Sequence, residues 1–140
     1  MQLVDAIAGL RDLNKGTLEA VLRVSMIHEA QASAEEQYYE ASLPSGPFQR
    51  VELRQSNPTQ QKFAMVILDV RGDVPIAIAS FRSAGRIDSD TRLDISPDVP
   101  PEGTLTYSVH ANEQDTRYVF TALAKQLSTV VVDRRPPSSP

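Results

Sequence analysis

Cysteine is absent from this sequence, and histidine occurs only twice, as His28 and His110. The lack of cysteine excludes disulfide bridges, thiolate metal sites and cysteine nucleophiles. Long apolar runs are also missing: none approaches the roughly twenty residues that a membrane-spanning helix needs. Because no basic start is followed by an apolar stretch and a small-residue cleavage site, we expect a cytoplasmic location and no membrane.

The chain has 140 residues, of which 41% are hydrophobic and 23% are charged. These values are typical of one globular domain, and a monomer of this size leaves much of its surface exposed unless a partner covers it. The last seven residues, R-R-P-P-S-S-P, are unsuited to a helix or an interior strand. We therefore expect a single domain over residues 1–133 and an extended proline-rich tail over residues 134–140.

The charges are distributed unevenly along the chain. The net charge is −4, which argues against a strongly basic nucleic-acid binder. However, the first 45 residues carry −4, residues 46–86 carry +3, and residues 87–140 carry −3. Net charge reports only the sum, so the middle of the chain can still present a basic surface.

Three segments have the pattern of strands. Gln49–Gln55 alternates apolar and polar residues, and Lys62–Val70 resumes as an apolar run after the turn residues of S-N-P-T. This arrangement predicts an antiparallel hairpin. Thr104–Ala111 alternates again and predicts a third strand.

The segment after the third strand has the pattern of an amphipathic helix. Asn112 is a suitable N-cap, and Glu113 lies in the first turn, where the helix dipole favours a carboxylate. Apolar residues then recur at four-residue spacing and predict one buried stripe. The sequence therefore predicts a helix over Glu113–Ser128 whose stripe comprises Val119, Leu123 and Leu127, with Phe120 and Ala124 beside it.

Two regions remain open to alternatives. In the first 45 residues, Thr17–Tyr39 has good helix formers and a possible capping box, Ser33 with Glu36, whereas a hairpin turning at Asn14 and Gly16 fits the same region. In the proline-rich excursion Arg71–Gly103, two short apolar pieces could pair as an extra hairpin. Those pieces are Ile76–Phe81 and Arg92–Ile95.

In the order of its elements, the chain resembles the coat proteins of single-stranded RNA bacteriophages. The stretch V-E-L-R-Q-S-N-P-T-Q-Q-K-F-A-M-V-I-L-D-V at Val51–Val70 is similar to that family's strand, loop and strand. The stretch T-L-T-Y-S-V-H-A-N-E-Q-D-T-R-Y-V-F-T-A-L-A-K-Q-L at Thr104–Leu127 is similar to its last strand and first helix. The family's second C-terminal helix has no counterpart in this chain.

The resemblance implies an α+β fold and a function. It implies an antiparallel sheet with an N-terminal hairpin, or helices in its place, and a C-terminal helix that packs across an intertwined obligate dimer. Such dimers assemble into an icosahedral shell that packages single-stranded RNA, and some bind an RNA hairpin as translational repressors. The expected locations are the virion and, during assembly, the host cytoplasm. The implied dimer interface comprises Val119, Phe120, Leu123 and Leu127.

The polar face of the sheet is the implied RNA-binding surface. Cations there would contact phosphates, and hydroxyl groups or a histidine would contact sugars and unpaired bases. A solvated face with ordinary charge alternation is the alternative, and we expect Ala64, Val66 and Leu68 to lie on the same face. The predicted RNA-binding residues are Arg50, Glu52, Arg54, Lys62, Thr104, Thr106, Ser108 and His110.

No residue pattern indicates catalysis, a metal site or a cofactor. His110 and Ser108 are two residues apart on one strand, but no glycine-rich nucleophile elbow surrounds the serine. The carboxylates Asp88, Asp90 and Asp94 lack ligand spacing. The alternative function is a small bacterial protein-interaction module, of the immunity or secretion-accessory type, that recognises one protein partner.

Overall fold

A computed structural model describes residues 2–28, 36–56, 63–87, 91–96, 103–111, 114–122 and 124–134. Strands dominate these described residues, and three short helices accompany them there. The helices are α1 (Gln2–Ala8), α2 (Lys15–Leu22) and α3 (Ile78–Ser83). The strands are β1 (Ile27–His28), β2 (Glu36–Ser42), β3 (Phe48–Ser56), β4 (Ala64–Val70), β5 (Arg92–Ser96), β6 (Thr104–Ala111), β7 (Gln114–Thr121) and β8 (Leu127–Arg134).

All eight strands form one antiparallel sheet with the order β1-β2-β3-β4-β8-β7-β6-β5. Each half is a meander of four consecutive strands, and the halves meet where β4 pairs with β8. The sheet therefore has an internal seam at its centre, with four strands on either side.

The hairpin predicted from the alternation around Val51 is confirmed. β3 and β4 pair antiparallel, with Val51 opposite Leu68 and Leu53 opposite Val66. All four of these side chains are completely buried. The strand predicted over Thr104–Ala111 is also confirmed, as β6.

The helices cover one face of the sheet, which we call the core face. Val4 and Ile7 of α1 and Leu18 of α2 are buried together with the apolar side chains of the central strands. At the other half, the ring of Phe81 in α3 packs edge-on against Tyr118 and Phe120, with centroid distances of 4.8 and 5.2 Å. The core thus lies between one sheet face and three short helices.

The predicted helix over Glu113–Ser128 is wrong, because residues 114–121 form β7 and residues 127–134 form β8. Thr116, Tyr118 and Phe120 alternate as buried residues, which is the two-residue period of a strand. Val119 and Leu127 of the predicted stripe belong to two different strands, β7 and β8. Pairing of β7 with both β6 and β8 outweighs the local helix propensity.

This correction removes the helix that was to form the dimer interface. Phe120 and Leu127 are buried in the core of their own chain, and they cannot also bind a partner. Val119 projects from the opposite face, opposite Thr129 of β8. Leu123 lies outside the described residues.

The N-terminal hairpin is wrong, and the alternative of helices is confirmed in part. Asn14, predicted as a turn residue, is the N-cap of α2: its side chain accepts a hydrogen bond from the Thr17 amide, and its own amide donates one to the Thr17 hydroxyl oxygen. The helix ends at Leu22, where Arg23 adopts a left-handed backbone with φ 58°. The predicted capping residue Ser33 lies outside the described residues, and Glu36 begins strand β2.

The predicted pairing of Ile76–Phe81 with Arg92–Ile95 is also wrong. Residues from Ile78 onward form α3, and β5 pairs with β6 instead, with Leu93 opposite Tyr107. The alternation I-A-I-A fits both a strand and a short helix, and the packing of Phe81 selects the helix. None of the helices in the described part of the chain is long and apolar enough to cross a membrane.

Arg134, predicted as the first residue of the tail, instead ends β8 and holds α1 in place. Its guanidinium donates hydrogen bonds to the carbonyl oxygens of Ala8 at 3.1 Å and Leu10 at 2.6 Å, and to the side chain of Gln114. A cation at the carboxyl end of a helix is favoured by the helix dipole.

Candidate functional site

The face of the sheet opposite the core face is covered by none of the described helices, and we call it the open face. Strand alternation and register assign its side chains. From β2 across to β5 it includes Glu36, Tyr38, Glu40, Ser42, Arg50, Glu52, Arg54, Met65, Ile67, Asp69, Thr129, Val131, Asp133, Asp115, Arg117, Val119, Thr121, Thr104, Thr106, Ser108, His110 and Asp94.

The centre of the open face is apolar. Ile67 of β4 is directly opposite Val131 of β8 across the central seam. Met65 and Val119 lie one pleat away on β4 and β7, and all four side chains are only partly buried. An apolar pair at the middle of an uncovered sheet face, with further apolar side chains near it, is a feature of surfaces that bind another macromolecule.

Ion pairs surround this centre on the side of β3. Arg50 forms an ion pair with Glu40 and lies 3.8 Å from Asp69, and Arg54 donates to Glu52 at 2.7 Å. These carboxylates raise the pKa of both arginines above its usual value, chiefly through their hydrogen bonds. The positive charge of β3 is therefore largely balanced within the same face.

The opposite side of the centre has a second charged group. Arg117 of β7 lies 3.6 Å from Asp133, whose side chain is only 6% exposed. Nearer the edge, Nδ1 of His110 lies 2.6 Å from a carboxylate oxygen of Asp115. A partly exposed arginine flanked by carboxylates thus faces solvent on β7.

The predicted RNA-binding residues that the structure describes share one face, but they form two separate groups. Arg50, Glu52 and Arg54 lie on β3, whereas the group on β6 is separated from them by β4, β8 and β7. At about 4.8 Å per strand the separation is roughly 19 Å. The second group consists of Thr104, Thr106, Ser108 and His110, and Lys62 lies outside the described residues.

The prediction that Ala64, Val66 and Leu68 lie on this face is wrong, because all three are buried on the core face. Their neighbours Met65 and Ile67 occupy the open face instead. The segment K-F-A-M-V-I-L-D-V is almost uniformly apolar, so the sequence does not show which of its alternate residues face the core. Only the pairing of β4 with β3 and β8 decides it.

The electrostatics of the open face do not favour a polyanion. Its described side chains include three arginines and seven carboxylates. RNA-binding surfaces normally collect cations, since each contact neutralises a phosphate. Among the described basic residues of 46–86, only Arg50 and Arg54 lie on the open face, and both are paired with carboxylates there.

Sequence reasoning missed Met65, Ile67, Val131 and Arg117 as surface residues. Arg117 and Val131 were assigned to a helix and to the segment before the tail, and two adjacent strands bring them together. The available signal was the alternation of Thr116, Tyr118 and Phe120, which has the period of a strand.

The described residues contain no cluster of three or more potential metal ligands. His110 and Asp115 have side chains 70% and 45% exposed, on an open sheet rather than in a cleft. A surface depression elsewhere is lined by Leu3, Leu43, Pro47, Phe48 and small polar residues, none of them titratable.

A scan against protein-family models and searches of curated proteins and of solved structures each found no match to this chain. The similarity to RNA-phage coat proteins therefore stays a prediction.

Proposed function

We propose that this protein is a non-enzymatic interaction module that works as a homodimer, in which two copies bury their open faces against each other. The observation that carries this proposal is the apolar centre formed by Met65, Ile67, Val119 and Val131 on a face that no described helix covers. Face-to-face packing of two sheets is a common way to bury such a surface, at a separation of about 10 Å.

The size of the face supports a stable contact. Eight strands spaced at about 4.8 Å, each about seven residues long at about 3.3 Å per residue, give a face of roughly 38 Å by 23 Å. Stable interfaces bury about 800 Å² per partner. A second copy can supply a surface of that size, and it also supplies an equal apolar centre.

The substitution Ile67→Lys tests the proposal. In the monomer the new ammonium group lies opposite Glu52 on β3 and remains in water, so we expect the fold to be retained. In the dimer two such charges would be buried at the centre, and we expect dimer affinity to fall roughly 100-fold or more. Sedimentation equilibrium measures the dissociation constant, and far-UV circular dichroism checks the fold.

The matched control is Ala20→Lys, which adds the same charge at an exposed position of α2. It should leave the dimer unchanged. A wild-type protein that remains monomeric at high micromolar concentration, or an Ile67→Lys variant that dimerises as well as wild type, would contradict the proposal.

A second candidate is the coat-protein function that the resemblance implies. One observation favours it: β5 is an edge strand, and Leu93 and Ile95 on it are 44% and 65% exposed. An exposed apolar edge is suited to pairing with another chain, and a shell requires a second contact in addition to the dimer. The acidic balance of the open face argues against RNA packaging by that surface.

A further inference from the structure

The charges of the open face are arranged in rows across the strands. One row runs Glu52, Ile67, Val131, Arg117, from β3 through β4 and β8 to β7. The next row, one pleat along, begins with Arg54 and ends with Asp115. The two rows thus carry opposite charges at their two ends, and the sign reverses from one row to the next.

This pattern is self-complementary under a two-fold rotation about an axis along the central seam. We propose, building on the homodimer proposed above, that the two copies are related by a two-fold axis that lies between the sheets, parallel to the strands and along the β4–β8 seam. Such an axis reverses the order of strands, so β3 lies over β7 of the partner and β4 over its β8. Because four strands flank the seam on each side, the whole sheet is overlapped.

The operation places opposite charges together at the ends of both rows, whereas in the middle of the second row Met65 faces the partner's Asp133. Glu52 faces the partner's Arg117, Arg54 faces the partner's Asp115, and Ile67 faces the partner's Val131. By symmetry each contact occurs twice, as an isologous interface requires. The strands of two packed sheets cross at an angle of about 30°. Residues on β3 and β7 lie about 7 Å from the axis, so this angle shifts facing residues by only about 4 Å and they stay within reach of each other.

The alternative in-plane axis, perpendicular to the strands through the same row, gives an unfavourable contact. Each strand would then cross its own copy, so that Glu52 would face the partner's Glu52 and Arg117 the partner's Arg117. Like charges buried face to face cost free energy. Charge complementarity therefore favours the axis along the seam over a perpendicular axis through this row. A perpendicular axis between the two rows would set Glu52 against the partner's Arg54, and the mixtures of variants described below distinguish it, because they would not recover binding in that arrangement.

A charge-swap experiment tests the axis. Position 52 faces position 117 of the partner twice in each dimer. In Glu52→Arg homodimers both contacts therefore join two arginines, and in Arg117→Glu homodimers both join two glutamates. We expect each variant alone to dimerise at least tenfold more weakly than wild type. In an equimolar mixture both facing pairs become opposite in charge, so we expect a heterodimer with affinity within about threefold of wild type, identified by native mass spectrometry.

All four residues have partners within their own chain: Arg54 donates to Glu52, Arg117 lies near Asp133, and Asp115 lies beside His110. Far-UV circular dichroism of every variant therefore checks that the fold is retained. A second pair of variants, Arg54→Asp and Asp115→Arg, exchanges the other facing pair. We expect the same weakening of each homodimer and the same recovery on mixing. Within one chain these positions are three strands apart, roughly 14 Å, so recovery reports a contact between chains.

The outcomes separate the axis from the homodimer itself. If Ile67→Lys disrupts the dimer but neither mixture binds more tightly than its components, the open-face contact stands and the axis is wrong. If Ile67→Lys has no effect, the open face is not the interface and both proposals fail. Recovery in both mixtures establishes the axis along the β4–β8 seam.

Discussion

Asp5 and Arg86 join two elements that are 81 positions apart in the sequence. The guanidinium of Arg86, which follows α3, donates to both carboxylate oxygens of Asp5 on α1, at 2.9 and 2.5 Å. These hydrogen bonds lower the pKa of the Asp5 carboxyl below its usual value. The pair therefore ties α1 to the end of α3 over the core face.

This pair gives a pH-dependent contribution to stability. Because the pKa of Asp5 is lower in the folded protein, the pair stabilises the fold above the unfolded value of about 3.9. That contribution is lost as the pH falls through the folded pKa. We expect Asp5→Asn to lower the free energy of unfolding at pH 7 by at most about 1 kcal/mol, since the Asp5 side chain is 59% exposed.

Urea unfolding of wild type and Asp5→Asn at pH 7, 5 and 3 measures this difference. It should be equal at the two higher pH values and should shrink at the lowest. Asp12→Asn removes an exposed carboxylate elsewhere in the N-terminal region and is the control. A destabilisation by Asp5→Asn that stays constant down to pH 3 would assign the effect to something other than the ion pair.

The element α3 shows how one helix completes the core of half the sheet. Phe81 is 1% exposed and contacts the rings of Tyr118 and Phe120. The segment before α3 is also tied to the start of β8, since the Leu127 amide donates to the carbonyl oxygen of Ile76 at 2.8 Å. The helix is therefore fixed by both side-chain packing and backbone hydrogen bonds.

We expect Phe81→Ala to lower the free energy of unfolding by about 3–5 kcal/mol, because it removes a large buried side chain and leaves a cavity over β7. Ser83→Ala, at an exposed position of the same helix, should change it by no more than about 0.5 kcal/mol. Urea denaturation compares the two variants. Equal effects would show that α3 does not cover this part of the core.

At the scale of the whole molecule, the proposed dimer and the coat-protein hypothesis predict different assemblies. The chain has a net charge of −4, and its open face carries more carboxylates than arginines. We therefore expect the purified protein to form discrete dimers without bound RNA. Electron microscopy and the ratio of absorbance at 260 and 280 nm test this expectation.

Large regular particles that contain RNA would instead support the coat-protein function. In that case Arg50→Gln with Arg54→Gln would distinguish the roles of the open face. Reduced RNA content in intact particles would make that face the RNA-binding surface. Unchanged RNA content would place RNA binding elsewhere.

The sequence alone determined the parts of the fold that depend on local alternation. Val51 and Leu53 could be placed in the core, and Arg50, Glu52 and Arg54 on the other face, because a strand with alternating polarity exposes one set of side chains. The antiparallel β3–β4 hairpin followed from this alternating strand, the turn residues after it and the apolar run that comes next.

Only the tertiary structure decided the rest, because it depends on pairing between distant residues. The spacing of Val119, Leu123 and Leu127 fits a helix, and the pairing of β7 with both β6 and β8 makes that region strands. The apolar run of β4 does not alternate with polar residues, so its sequence does not show which face Ile67 is on. The pairing of β4 with β3 and β8 places Ile67 on the open face. The local sequence shows the alternation of polar and apolar residues within one strand. It does not show which strands pair, and the β4–β8 pairing that sets Ile67 beside Val131 joins residues 64 positions apart.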